Sequence, residues 1–294
     1  TLTISSANDY AASTILGGGV LSIGSIANIG VASPIGAPDE SVENAECLIF
    51  TGGTLRYTGG NGSTDRGATF TAPGKFEVTS SGTTLTWNGG FVGPGALQKS
   101  GAGTLTLTAI NTFTGGTILS NGTLALLTPT GGASITANNY ALGSGPVTLY
   151  GGTLKLFGGD QGDAGAGYGT FSRPIEVPTN ATAALLTPAR YTMSSKLTGG
   201  GTLNLEVNYV RGVLNGDWSE FTGTINITAE LTASTAEFRV ANSFGYAGAT
   251  LFANDNVIIT QNGSGNPMLI GALGGTSGSV VGPGNDTSSG RNFN

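Results

Sequence analysis

The sequence predicts an all-β chain wound as a parallel solenoid of about 20 residues per coil. Three observations predict it. Glycine fills 52 of 294 positions, spaced every few residues, and each interior glycine costs a helix about 1 kcal/mol. Strand-like alternations of Thr or Asn with Leu, Ile or Val recur, each entered by glycine. One phrase, Gly-Thr-Leu-x-apolar, returns along the chain.

The elements follow in order. Thr1-Leu2-Thr3-Ile4 opens directly as a strand. Asp39 to Cys47 is the one stretch that suits a short helical turn. The recurring phrase stands at Gly53-Thr54-Leu55, Gly103-Thr104-Leu105, Gly122-Thr123-Leu124, Gly152-Thr153-Leu154, Gly201-Thr202-Leu203 and, with isoleucine, Gly223-Thr224-Ile225. Gly158 to Gly169 is a glycine-rich excursion. The tail from Gly278 to Asn294 is still rich in Gly, Ser and Asn, with Val280-Val281 reading as another strand. Alternate apolar side chains would point inward, Thr and Asn outward, and glycine would supply positive-φ corners. A short strand with one apolar face cannot bury it alone, whereas stacked coils share a continuous core.

A longer period lies above the phrase. Leu2, Ile4, Asn8, Tyr10, Leu16, Gly19, Leu21 and Ile23 match Leu105, Leu107, Asn111, Phe113, Leu119, Gly122, Leu124 and Leu126 at a constant offset of 103. Phe76-Glu77-Val78 matches Ile175-Glu176-Val177 at 99, and Gly103-Thr104-Leu105 matches Gly201-Thr202-Leu203 at 98. The domain expectation is a single continuous solenoid over 1–294, built of approximate repeats 1–100, 101–198 and a degenerate 199–294. At a uniform 20 residues it would make about 14 coils. Leu2 and Leu105 are expected in like, inward settings.

Composition excludes several chemistries. The chain has no histidine, one cysteine and 10% charged residues. His-based nucleophile pairs, His ligands, internal disulfides and thiolate zinc clusters are therefore ruled out. A net charge of −6 spread over 17 acids and 11 bases argues against nucleic acid as partner. No apolar run reaches the roughly 20 residues of a membrane span.

The stretch Gly101 to Leu126, GAGTLTLTAINTFTGGTILSNGTLAL, resembles the autotransporter passenger-associated β-strand repeat. Leu2 to Ile23 resembles it more weakly, with Ala11-Ala12 where Thr114-Gly115 stands in the better copy. Gly216 to Ile225 and Ile270 to Gly275 are similar to segments of the same large bacterial surface proteins. The resemblance implies a right-handed parallel β-helix, exported by a Gram-negative bacterium to the cell surface or beyond.

Some β-helices degrade polysaccharides, which makes the acids and aromatics candidate site residues. Hydrolysis needs two carboxylates facing one groove. Asp39, Glu40, Glu43 and Glu46 read as a solvated loop. Asp160 and Asp163 lack the glycine spacing of a calcium repeat. Asp217 and Glu220, flanking Trp218, read as a structural corner. Arg56, Arg66, Lys75, Lys99, Lys155, Arg173 and Lys196 are isolated in sequence. Trp87 with Phe91, and Trp218 with Phe221, are sugar-stacking candidates but read first as core. Cys47 reads as a buried thiol. The expectation is no catalytic residue, no cofactor and no metal. The functional expectation is a non-enzymatic extracellular rod or fibre segment acting in adhesion or as a spacer. It would associate head to tail or continue into a longer chain, and meet a glycan or other cell-surface ligand. The alternative is a carbohydrate-binding or polysaccharide-degrading β-helix.

Overall fold

The computed structural model describes residues 1–39, 43–127, 140–156, 169–187, 191–207, 212–214, 216–229, 236–241, 246–254, 257–262, 270–277 and 280–282. The chain forms two compact units, Thr1–Gly132 with Ala137–Thr153, and Ala133–Thr136 with Leu154–Asn294. In both, the pairings between described strands are parallel, so the chain is a β-solenoid. Among the described residues the one antiparallel contact is an isolated bridge between Asn8 and Ser33.

The first unit winds round three faces. Thr14–Leu16, Leu48–Phe50, Ala68–Phe70 and Phe91–Val92 form the first. Leu2–Ile4, Val20–Ile23, Thr54–Tyr57, Gly74–Val78, Leu97–Ser100, Thr117–Leu119 and Val147–Leu149 form the second. Gly62–Thr64, Thr84–Trp87, Thr104–Leu107 and Thr123–Leu126 form the third. Alternation sends every other residue inward. On the second face Leu21, Leu55, Phe76, Lys99, Leu119 and Leu149 stack in register as one inward column. On the third, Leu85, Leu105 and Leu124 do the same. All of these are buried, and full burial of one such apolar side chain is worth about 1.5–3 kcal/mol.

Coil length is uneven. Steps between partners are short at Leu2↔Leu21, Leu55↔Phe76 and Leu85↔Leu105. They stretch at Leu21↔Leu55 and Leu119↔Leu149. These long coils, together with steps above 20 residues in the second unit at Leu203↔Ile225 and Ile225↔Leu251, make a uniform 20-residue count overstate the number of turns. Asn44–Glu46 inside the first of them forms a 3-10 turn, within the stretch expected to make one.

In the second unit Thr182–Thr187, Thr202–Val207, Thr224–Ala229, Tyr246–Ala253 and Ile270–Gly275 form one ladder. Gly169–Phe171, Tyr191–Met193, Gly212–Leu214, Ala236–Ala241, Val257–Asn262 and Val280–Gly282 form another. Ile175–Val177 pairs Leu197–Gly199. Leu203, Ile225 and Leu251 make a fully buried inward column. Outward, Thr182, Thr202, Thr224 and Thr250 align, and Asn226 Nδ2 donates to Asn204 Oδ1 at 2.9 Å.

The expected like settings of Leu2 and Leu105 need correction. Both pair with a residue 19 further on, Leu21 and Leu124. Leu2, however, lies on the second face and is 63% exposed, whereas Leu105 lies on the third and is 0% exposed. The first repeat copy runs second, first, second face; the second runs third, second, third. The faces share one alternation and one kind of glycine corner, so the same phrase can wind from any of them.

Candidate functional site

The aromatic pairs expected as sugar-stacking candidates are interior, while Tyr10, Tyr140 and Tyr150 are exposed. Trp87, Phe91, Trp218 and Phe221 are all 0% exposed. Phe50, Phe70, Phe76, Trp87 and Phe91 form one cluster with ring centroids 5.1–6.3 Å apart. Trp218 Nε1 donates to Ser195 O at 3.0 Å. The Trp218 corner is braced outside by Asp217, whose Oδ1 accepts from Ser219 Oγ at 2.6 Å and Ser219 N at 3.0 Å. Those bonds hold the Asp217 carboxyl below its ordinary value. Glu220 pairs with Lys196 at 2.5 Å, in solvent. Solvent screens such an exposed pair, so it adds little to stability.

The other acids do not converge. Asp39, Glu43 and Glu46 are exposed. Glu40, Asp160 and Asp163 lie outside the described residues. Glu77 pairs with Arg56 at 3.0 Å. Among the described residues no group of three or more Cys, Asp or Glu side chains could hold a metal ion. Cys47 is buried and free, and burial raises its thiol pKa.

Two basic residues that look isolated in sequence are fully interior. Lys99 occupies an inward column between Phe76 and Leu119. Its ammonium bends to the corner and donates to Ser100 O at 2.7 Å, Gly101 O at 3.0 Å and Asn121 O at 3.2 Å. Its signal was available: Leu97 and Lys99 stand at alternate positions of one strand. Arg66 is 0% exposed. Its guanidinium donates to Ile35 O at 2.9 Å, and to Val31 O and Gly36 O at 2.8 Å. Nothing in the sequence around Arg66 announces this, because its partners lie in a loop some thirty residues earlier.

Lys99 makes stability depend on pH. Burial pushes its pKa down to about 8 from 10.5, with nearby Glu77 opposing. Between those values the unfolded chain holds a proton that the folded chain has shed, so stability rises with pH. The full gain is on the order of 3 kcal/mol. Urea unfolding at pH 7 and pH 10, on wild type and Lys99→Met, checks it. The wild type gains on the variant as pH rises; equal curves refute the burial argument.

The class the fold defines is a parallel β-solenoid with a packed aromatic interior. Within it, residues 1–23 and 97–126 match the passenger-associated-transport-repeat family. The chain is 43% identical over 144 residues to the adhesin BmaC autotransporter of Brucella suis biovar 1 (strain 1330), covering 47% of this chain and 4% of that protein. It is 38% identical over 87 residues to an extracellular serine protease of Serratia marcescens, covering 29% of this chain and 8% of that protein. The chain thus spans a small fraction of the length of these relatives. No solved structure matches it. Among the described residues no helix is long and apolar enough to cross a membrane.

Proposed function

We propose that the chain is a non-catalytic, extracellular or outer-surface segment of a bacterial adhesin-type passenger, one continuous solenoid that displays surface loops to a glycan or other cell-surface ligand. The observation that carries this is the coupling of register-matched inward columns with repeats of the passenger-associated-transport family. The adhesin relative supports adhesion over proteolysis, since it matches more of this chain at higher identity. Scattered carboxylates and interior aromatics support a scaffold over a polysaccharide-cleaving groove. Coils of this kind would continue into a longer polypeptide or stack head to tail on a second copy, a heterologous contact that propagates.

Purified protein coupled to beads tests the function. Saturable adherence to cultured epithelial cells or to a glycan array is expected, with no new reducing ends from a panel of polysaccharides. Depolymerisation above blank, or beads that adhere no better than uncoated ones, would overturn it. Sedimentation decides the stacking proposal separately, a stable 29.2 kDa monomer at all concentrations ruling out head-to-tail assembly.

A further inference from the structure

Both repeat copies grip the coil that follows them through the same set of bonds, on different faces of the first unit. In the first copy Asn8 N donates to Ser33 O at 2.9 Å, and Ala37 N to Tyr10 O at 2.9 Å. Asn8 Nδ2 donates to Pro34 O at 3.2 Å, and Thr14 Oγ1 to Ile35 O at 3.2 Å. In the second copy Asn111 N donates to Tyr140 O at 2.9 Å, and Ser144 N to Phe113 O at 2.9 Å. Asn111 Nδ2 donates to Ala141 O at 2.6 Å, and Thr117 Oγ1 to Leu142 O at 3.3 Å.

The gripped segments, Ser33-Pro34-Ile35-Gly36-Ala37 and Tyr140-Ala141-Leu142-Gly143-Ser144, share little beyond an apolar residue followed by glycine. Ile35 and Leu142 are both 0% exposed. Gly36 and Gly143 take φ of +76° and +69°. Each lies against the matched aromatic, Tyr10 or Phe113, so closely that a Cβ would strike its ring and carbonyl. Elsewhere in the unit the steps between coils are near 20 residues, but the coils holding these segments are the two long ones, Leu21↔Leu55 and Leu119↔Leu149.

We propose that each repeat copy is a peptide clamp, Asn-x-aromatic with a downstream threonine, whose ligand is an (Ile/Leu)-Gly segment of the next coil. Capturing that segment restores the winding after an inserted loop of any length. The reason is backbone accounting. A coil that leaves the ladder loses its hydrogen-bond partners, and buried peptide groups need replacements. The asparagine amide and the threonine hydroxyl supply side-chain donors for two carbonyls. Glycine at left-handed φ lets the chain turn flat against the aromatic ring. Loop length then becomes free, which suits a scaffold whose loops meet ligands. The inference deepens the display proposal above but does not need adhesion to be true, since it concerns only how coils re-register.

Segment exchange in the full chain tests it. One variant carries Tyr140→Ser, Ala141→Pro, Leu142→Ile and Ser144→Ala, which writes the first captured segment into the second clamp. The other exchanges two neighbours, Leu142→Gly with Gly143→Leu, preserving composition. Hydrogen exchange at the backbone amides of 142–145 and 147–149, which both variants retain, is the readout. The first variant should keep wild-type protection, and the second should lose it by about tenfold or more. Loss in the first variant, or retention in the second, overturns the clamp. Adherence of the beads is measured alongside, so a failure of adhesion with intact exchange behaviour points to the functional proposal alone.

Discussion

Phe70→Ala should destabilise the chain by about 3–5 kcal/mol. Phe70 is 0% exposed and meets four other rings, with centroids at 5.2 Å from Phe50, 6.3 Å from Phe76, 5.1 Å from Phe91 and 5.6 Å from Phe113. Phe50, Phe70 and Phe91 belong to the first face, and Phe76 projects inward from the second. The cluster therefore ties faces together as well as coils. Removing its central ring leaves a cavity that parallel strands, fixed by ladder bonds on both sides, cannot collapse to fill. Phe113 adds a second consequence, because its ring also carries the Gly143 clamp. Chemical denaturation of wild type, Phe70→Ala and Phe70→Leu measures the effect. Phe70→Leu should recover much of the loss, and an alanine variant within about 1 kcal/mol of wild type would show that the cluster relaxes freely.

Why so much of this fold could be read from residues follows from what the repeats encode. Gly-Thr-Leu-x-apolar states a corner, an outward residue and an inward pair, and Leu105, Leu124, Leu203 and Ile225 all stand inward and buried. The Leu105↔Leu124 and Leu203↔Ile225 pairings realise the short coil spacing directly. The face on which a phrase lies was not legible. A three-faced coil repeats one alternation on each face, so the 103-residue offset returned the same bonding on a different face. Coil length was not legible either at Leu21↔Leu55 and Leu119↔Leu149, because a captured segment need share only an apolar residue and a glycine.

Interior charges mark the other limit. Lys99 could have been placed from its alternation with Leu97, had the apolar rule been relaxed for a long side chain that reaches the corner carbonyls. Arg66 could not, since its burial depends on the Val31, Ile35 and Gly36 carbonyls turning inward. For Trp87 the core placement follows from strand parity, since it shares its strand with buried Leu85. A surface that binds ligand has no such parity rule, and dispersed Thr, Asn and Ser on outer rows carry no signature of their partner. Inward faces are therefore readable from the alternation, whereas the proposed display surface is not.

Gly101→Ala should cost about 2–5 kcal/mol, the sum of left-handed strain and overpacking, whereas Gly82→Ala should change stability by less than about 1 kcal/mol. The two glycines look alike in sequence, both sitting between strand phrases. Gly101 has φ +74° at the corner between the second and third faces, and a Cβ there would be driven into the Val78 carbonyl of the preceding coil. The corner repeats in later coils at Gly122, φ +68°, and Gly152, φ +75°. A Cβ on Gly122 would meet Gly101 O, and one on Gly152 would meet Gly122 O. These glycines thus form a column in which each backbone rests on the one before, and Lys99 bonds the Gly101 carbonyl from inside. Gly82 has open space around a Cβ. Separation of coils at Gly101 would also loosen the Lys99 ammonium, so the variant should lose part of the wild-type gain in stability between pH 7 and pH 10. Thermal and urea unfolding of both alanine variants at the two pH values tests the argument; equal effects at Gly101 and Gly82 would mean that close stacking of corners does not set the coil spacing.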